Sequence, residues 1–177
     1  ALADFFPAHY KDNPTIVISP VLGMERDISL KPILPLPITS DPHATGGPLA
    51  YALWKLRKHI GKEKITHLLR PFLNNLNQYH ESFRENLTTL KMEHSYFIAV
   101  LKKTLQEQDK NMDGVIKQIT IDLGLNLSTV NDIARSLKRS DRNFYAPSDG
   151  NKIPSITKFK IILLTIVVDG LLYIFFF

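Results

Sequence analysis

Cysteine is absent from the 177 residues, which excludes disulfides, thiolate zinc centres and cysteine catalysis. Other chemical signatures are missing as well. The six histidines, at 9, 43, 59, 67, 80 and 94, show no paired spacing on one helical turn, and the chain contains no HExxH, GxSxG, GxGxxG or Walker-type loop. Catalysis therefore has little support, and the chain reads as non-enzymatic with no resident cofactor. His94 falls on an apolar stripe, where a lone imidazole is expected to be a hydrogen-bonded core or interface residue.

What is present is distributed unevenly. Apolar residues make up 44% of the chain, and a large share of them lies in residues 159–177, FKIILLTIVVDGLLYIFFF. At 1.5 Å per residue this run spans about 26–29 Å as a helix, close to the thickness of a bilayer core. Asp169 stands inside it, where an ionised carboxylate costs about 2.5–3.5 kcal/mol, so it is expected to pair with a cation or face protein. The neighbouring Gly170 keeps a second form open, because Asp-Gly between β-branched and aromatic arms is a strong hairpin signal. The segment is read as a transmembrane helix or an apolar hairpin.

The formal charge of +5 is concentrated just ahead of this run. Arg135, Lys138, Arg139, Arg142, Lys152, Lys158 and Lys160 face only Asp141 and Asp149. Such a collar holds its side of a span in the cytoplasm, matrix or stroma and attracts anionic lipid. Lys158, Lys160 and Asp169 are the candidate membrane-contact residues, with Trp54 as a candidate aromatic anchor.

Four regions follow from the pattern. Residues 1–48 hold eight of the eleven prolines, at 7, 14, 20, 32, 35, 37, 42 and 48. That density predicts an extended arm without helix, carrying a short strand over 15–19 and lying on a partner or on its own helices. Residues 49–142 form a predicted helical domain, residues 143–158 a basic juxtamembrane linker, and residues 159–177 the membrane segment. The fold class is mainly α, with long amphipathic helices in a bundle or coiled-coil-like arrangement. The first helix is expected to end at Ile60, with Gly61 as its stop, and a short helix over 62–70 meets Pro71. From Phe72 to Leu137 apolar positions recur near every 3.6 residues, the period of an α-helix. Two or three helical segments fit this stripe better than one rod, with an interruption at 109–114. An exposed stripe would require other subunits or self-association through residues 72–137.

Two short stretches resemble known modules. Asp109-Lys-Asn111-Met-Asp113-Gly114-Val-Ile116 resembles the first half of an EF-hand calcium loop, with oxygen donors at its first, third and fifth positions. The position of the bidentate glutamate holds Thr120, so the resemblance implies at most weak calcium binding by Asp109, Asn111 and Asp113. Residues 116–137 resemble a helix-turn-helix: Gly124 lies between Leu123 and Leu125, Ile119, Val130 and Ile133 have the packing spacing, and Arg135, Lys138 and Arg139 suit phosphates. Thr120 takes the place usually held by alanine, and the turn carries an apolar Leu127.

The leading expectation is a non-enzymatic, membrane-anchored helical subunit or assembly factor of a larger complex, with lipid and other protein subunits as partners. One alternative is an α-helical pore-forming toxin-like protein whose apolar C-terminal segment inserts into membranes. A second is a membrane-tethered helix-turn-helix DNA-binding regulator, although nucleic acid is not expected among the partners. Liposome flotation checks the membrane segment: the full chain should float with vesicles, and a chain truncated after Lys158 should stay at the bottom of the gradient.

Overall fold

The computed structural model describes residues 2–19, 21, 23–32, 42–108 and 111–144. The chain divides into two units, Ala1–Asn143 and Phe144–Phe177, and the fold concerns the first. Among the described residues it is mainly helical, with one small sheet. The order is α1 (Leu2–Lys11), β1 (Thr15–Ser19), β2 (Met24–Asp27), α2 (Pro42–Ile60), α3 (Lys62–Phe83), a 3-10 turn (Arg84–Asn86), α4 (Leu90–Glu107), α5 (Asp113–Asp122) and α6 (Leu127–Phe144).

Two helices form the centre. In α2, Ala50, Tyr51, Ala52, Leu53, Trp54 and Leu56 are all buried, and in α4 the run Tyr96 to Leu101 is buried without a break. A helix apolar on every side must be enclosed by other elements. α2 is enclosed by α1, α3, α4 and α5, and α4 packs against α3 and α5 as well. Phe72 of α3 meets Phe97 of α4 edge to face, with centroids 5.0 Å apart, a favoured aromatic geometry. Tyr96 Oη donates to the Leu76 carbonyl at 2.9 Å.

The N-terminal arm departs from the extended form that its prolines predict. α1 is a helix containing Pro7, and β1 pairs antiparallel with β2 in the register Thr15↔Asp27, Ile16↔Arg26 and Val17↔Glu25, with an irregularity between Val17 and Ser19. One internal proline removes one hydrogen bond and crowds one carbonyl. Burial of Phe5 and Ala8, both at most 1% exposed, against α2 offsets that cost. Extended chain is therefore not the form of residues 2–11, while the expected strand over 15–19 is present. α1, the described start of the arm, packs on α2.

Two helix boundaries also differ from the sequence reading. α2 begins at Pro42 and passes through Pro48. α3 does not stop at Arg70 but continues through Pro71 to Phe83. The lost bond and clash at Pro71 cost about 3 kcal/mol. Leu68, Leu69 and Phe72 on the same face are buried, each contributing about 1.5–3 kcal/mol. Tertiary burial wins over the local signal.

The stripe from Phe72 to Leu137 is divided among α3, α4, α5 and α6. The expected break near 109–114 lies between Glu107 and Asp113, and further breaks fall at 84–89 and 123–126. Thr89 caps α4 by accepting from the Met92 N–H at 3.3 Å. Phe72, Tyr79, Phe97, Leu101, Leu105, Ile116, Ile119, Leu123, Val130, Ile133 and Leu137 all enter one core. Leu76, Phe83, Leu87 and Met112 of the same stripe are partly buried against that core.

No helix among the described residues is long and apolar enough to cross a membrane. Lys158, Lys160 and Asp169 lie outside the described residues. Trp54, the candidate aromatic anchor, is enclosed within the unit. It is 3% exposed, and the Arg57 guanidinium lies 4.4 Å from its ring centroid.

α1 is fastened by His9. Its Nδ1 accepts from Arg57 Nε at 3.2 Å, and its Nε2 lies 3.0 Å from Thr66 Oγ1. Thr66 donates its own proton to the Lys62 carbonyl at 2.8 Å, so the imidazole is neutral and protonated on Nε2. Burial, followed by the positive charge of Arg57, lowers the His9 pKa, and burial lowers that of His94. Unfolding then takes up protons as the pH falls below the ordinary value of 6.5, so both histidines remove stability on acidification. The melting temperature should fall between about pH 7.5 and about pH 5, and His9→Gln/His94→Gln should flatten that slope. Thermal melts across the range read it directly.

Candidate nucleic-acid interface

The resemblance to a helix-turn-helix falls on α5, the turn 123–126 and α6. Three closely spaced signals make the turn. Leu123 N–H donates to the Ile119 carbonyl, Gly124 N–H to Ile121, and Leu125 N–H to Thr120, each at 3.0 Å. The last two bonds close the end of α5 over a residue in left-handed conformation, and Gly124 has φ +60°, which a side chain would oppose. Asn126 then starts α6: its Oδ1 accepts from Ser128 N–H at 2.8 Å and Thr129 N–H at 3.4 Å. This is an N-cap.

The departures from the motif are accommodated. Thr120 is fully buried, and its hydroxyl donates to the Ile116 carbonyl of its own helix at 2.7 Å. Its polar atom is thus satisfied within α5, leaving a compact side chain at the crossing. Leu127 is half-buried, so the apolar residue in the turn is partly covered.

Ile116, Ile119 and Leu123 of the α5 segment and Val130, Ile133, Ala134 and Leu137 of α6 are buried in the common core. The α6 positions recur at i, i+3, i+4 and i+7, which leaves its opposite face outward. That face carries Ser128, Asp132, Arg135, Ser136, Lys138 and Arg139, all exposed. Arg135 Nη1 donates to Asp132 Oδ1 at 3.2 Å, with side chains 70% and 63% exposed. An exposed pair of this sort is worth about 0–1 kcal/mol, so Arg135 can leave it for a phosphate at little cost.

Beside α6 runs a groove of about 310 Å³, lined by Lys102 and Gln106 of α4 and Asn131, Ala134, Arg135 and Lys138 of α6. Lys102 Nζ donates to Asn131 Oδ1 at 3.0 Å and pairs with Asp113 Oδ1 at 3.2 Å. These contacts join α4 to the start of α5 and to α6. The groups presented along this side are cations and hydrogen-bonding amides, suited to phosphates and base edges.

Behind the interface, Asp122 fixes α5 to α2. Its carboxylate accepts from Tyr51 Oη at 2.7 Å and from Lys55 Nζ, and Gln118 Nε2 donates to its other oxygen at 2.9 Å. Burial alone would raise its pKa, but the hydrogen bonds from Lys55, Tyr51 and Gln118 hold it down at about 2. Tyr51 is pushed up, by burial first and then by its bond to Asp122.

Arg135, Lys138 and Arg139, which the sequence offers for phosphates, are exposed on the outer side of α6. Lys102, Gln106 and the Asp122 anchor are absent from the sequence reading. Local pattern gives no signal for them, because Lys102 and Asn131 are 29 residues apart and Tyr51 and Asp122 are 71 apart. Of the calcium-loop residues, Asn111 and Asp113 are exposed, Asp113 is paired with Lys102, and Asp109 lies outside the described residues. No group of three or more histidine or acidic residues able to hold a metal occurs among the described residues.

Gly124→Ala should destabilise the unit by about 1–2 kcal/mol, because alanine must enter the left-handed region to keep the turn. Denaturant unfolding measures the loss, and an unchanged midpoint would show that the turn does not require that conformation. Comparisons with protein-family models, with curated proteins and with solved structures found no match.

Proposed function

We propose that the chain is a membrane-tethered helix-turn-helix protein that binds duplex DNA through α6. One observation carries this reading. The left-handed cap at Gly124 and the N-cap at Asn126 join α5 to α6 in four residues, leaving the polar and basic side of α6 outside the core. In such a module the start of the second helix enters the major groove, while cations along the helix and its neighbours take the backbone. Ser128, Asn131, Asp132 and Arg135 occupy the base-reading half; Lys138 and Arg139 suit phosphates.

The tether is residues 159–177, whose apolar run and preceding basic collar fit a span with the DNA-binding unit on its cytoplasmic, matrix or stromal side. The role is binding, without catalysis. The alternative reading as a subunit that grips partners through residues 72–137 has less support from the stripe, because most of those apolar residues pack in the unit's own core. The pore-former layout called for a long amphipathic helix ahead of the apolar tongue. The corresponding stretch is four separate helices, the longest of 22 residues.

Fluorescence anisotropy with a labelled duplex tests the proposal. Binding should weaken steeply as salt rises, with log K falling by about 0.9 per phosphate neutralised. Lys138→Ala should reduce that slope by about one without changing the melting temperature, since the residue is exposed. An affinity that ignores salt, or is unaltered by Lys138→Ala/Arg139→Ala, would overturn α6 as the DNA-contacting element.

A further inference from the structure

The groove beside α6 contains an interaction that constrains what α6 can read. Lys102 Nζ sits between two acceptors, 3.0 Å from Asn131 Oδ1 and 3.2 Å from Asp113 Oδ1. An ammonium donates and never accepts, so the Asn131 atom turned toward it must be the carbonyl oxygen. This removes the ambiguity between oxygen and nitrogen that ordinarily attends an asparagine. The amide NH2 is left as the polar end of Asn131 available to a ligand.

The arrangement is held from both sides. The Lys102 side chain is only 18% exposed, and Asn131 is half-buried, in contrast to Arg135 one turn further along α6. Asp113, the first residue of α5, keeps the ammonium over the groove. Lys102 therefore ties α4 to α6 through the amide oxygen.

An asparagine with both ends free reads adenine, accepting from N6 and donating to N7. With its oxygen turned toward Lys102, the end of Asn131 left for a base is the amide NH2, which donates. Guanine presents two adjacent major-groove acceptors, O6 and N7, whereas adenine sets the N6 donor against such a group. We propose that Lys102 is a positioning residue that fixes Asn131 as a hydrogen-bond donor, so that α6 selects guanine over adenine at the base Asn131 meets. The inference rests on the DNA-binding reading and adds to it the base that one residue selects.

Selection from a randomised duplex library, run on the full chain in detergent micelles, tests it. Asn131→Ala locates the position, as the one whose preference is lost. The wild type should enrich G·C there, and Lys102→Met should admit A·T, lowering the G·C to A·T ratio roughly fivefold or more. Lys102→Arg should retain the preference, since guanidinium also only donates. A purely structural role for Lys102 would lower the melting temperature and affinity of Lys102→Met while leaving the ratio at that position unchanged, and this result would overturn the proposal. So would a wild-type preference for A·T at the Asn131 position, an outcome that needs no Lys102 variant and decides the matter even if Lys102→Met fails to fold. Enrichment of no sequence by the wild type would instead defeat the DNA-binding reading, and this inference with it.

Discussion

The carboxylate of Asp122 is the contact on which the placement of α5, the turn and α6 depends. It lies at the C-terminal end of α5, where the helix dipole disfavours negative charge, and it is buried. Such a group is tolerable only with several donors around it. Tyr51 and Lys55, one turn apart on α2, supply two of them, and Gln118 supplies a third from within α5. The charge that α5 alone would reject becomes a fixed point between α5 and the central helix. Everything C-terminal to it, the glycine cap, the turn and α6, starts from a helix end that cannot slide or rotate on α2 without unpairing a buried charge.

Around that point the unit is built on two helices of contrasting exposure to those that carry the interface. α2 and α4 are surrounded and apolar through their middles, whereas α6 keeps one side for the core and one for solvent. This division suits a binding module, because rigid supports hold an exposed helix whose side chains remain free to re-pair. Lys102 belongs to both groups. It projects from a central helix, yet its ammonium arrives beside Asn131 in the groove. His9 and Arg57 play a similar joining role near the C-terminal end of α2, tying α1 to α2 and α3 through a neutral imidazole.

Some of this was legible in residue order. The turn at 123–126 is signalled locally by Gly124 between Leu123 and Leu125, and the apolar spacing on either side names the residues that enter the core; the Asn126 cap emerged only from the structure. The strand at 15–19 and the interruption near 109–114 were readable for the same reason. Proline was the misleading signal. Pro7, Pro48 and Pro71 each lie inside a helix, because the neighbouring Phe5, Leu53 and Phe72 gain more from burial than one backbone hydrogen bond is worth. The unbroken helical period from 72 to 137 was ambiguous, because it left open whether the stripe packs within the chain or against another one. Four helices can each direct the same face inward, and periodicity does not distinguish that from one helix facing another chain.

The sequence by itself determined the helical class, the α5–turn–α6 unit, the basic residues of α6 and the apolar run at 159–177, since each is written in neighbours within a few turns of one another. Only the tertiary structure decided where the stripe is buried, that Trp54 is enclosed, that Asp122 is neutralised by α2 and that Asn131 has its oxygen turned toward Lys102. Those outcomes join residues from 3 to 71 positions apart, Trp54 to Arg57 at one end and Tyr51 to Asp122 at the other. They depend on which faces the packed helices present to each other, a property that local spacing and charge do not encode.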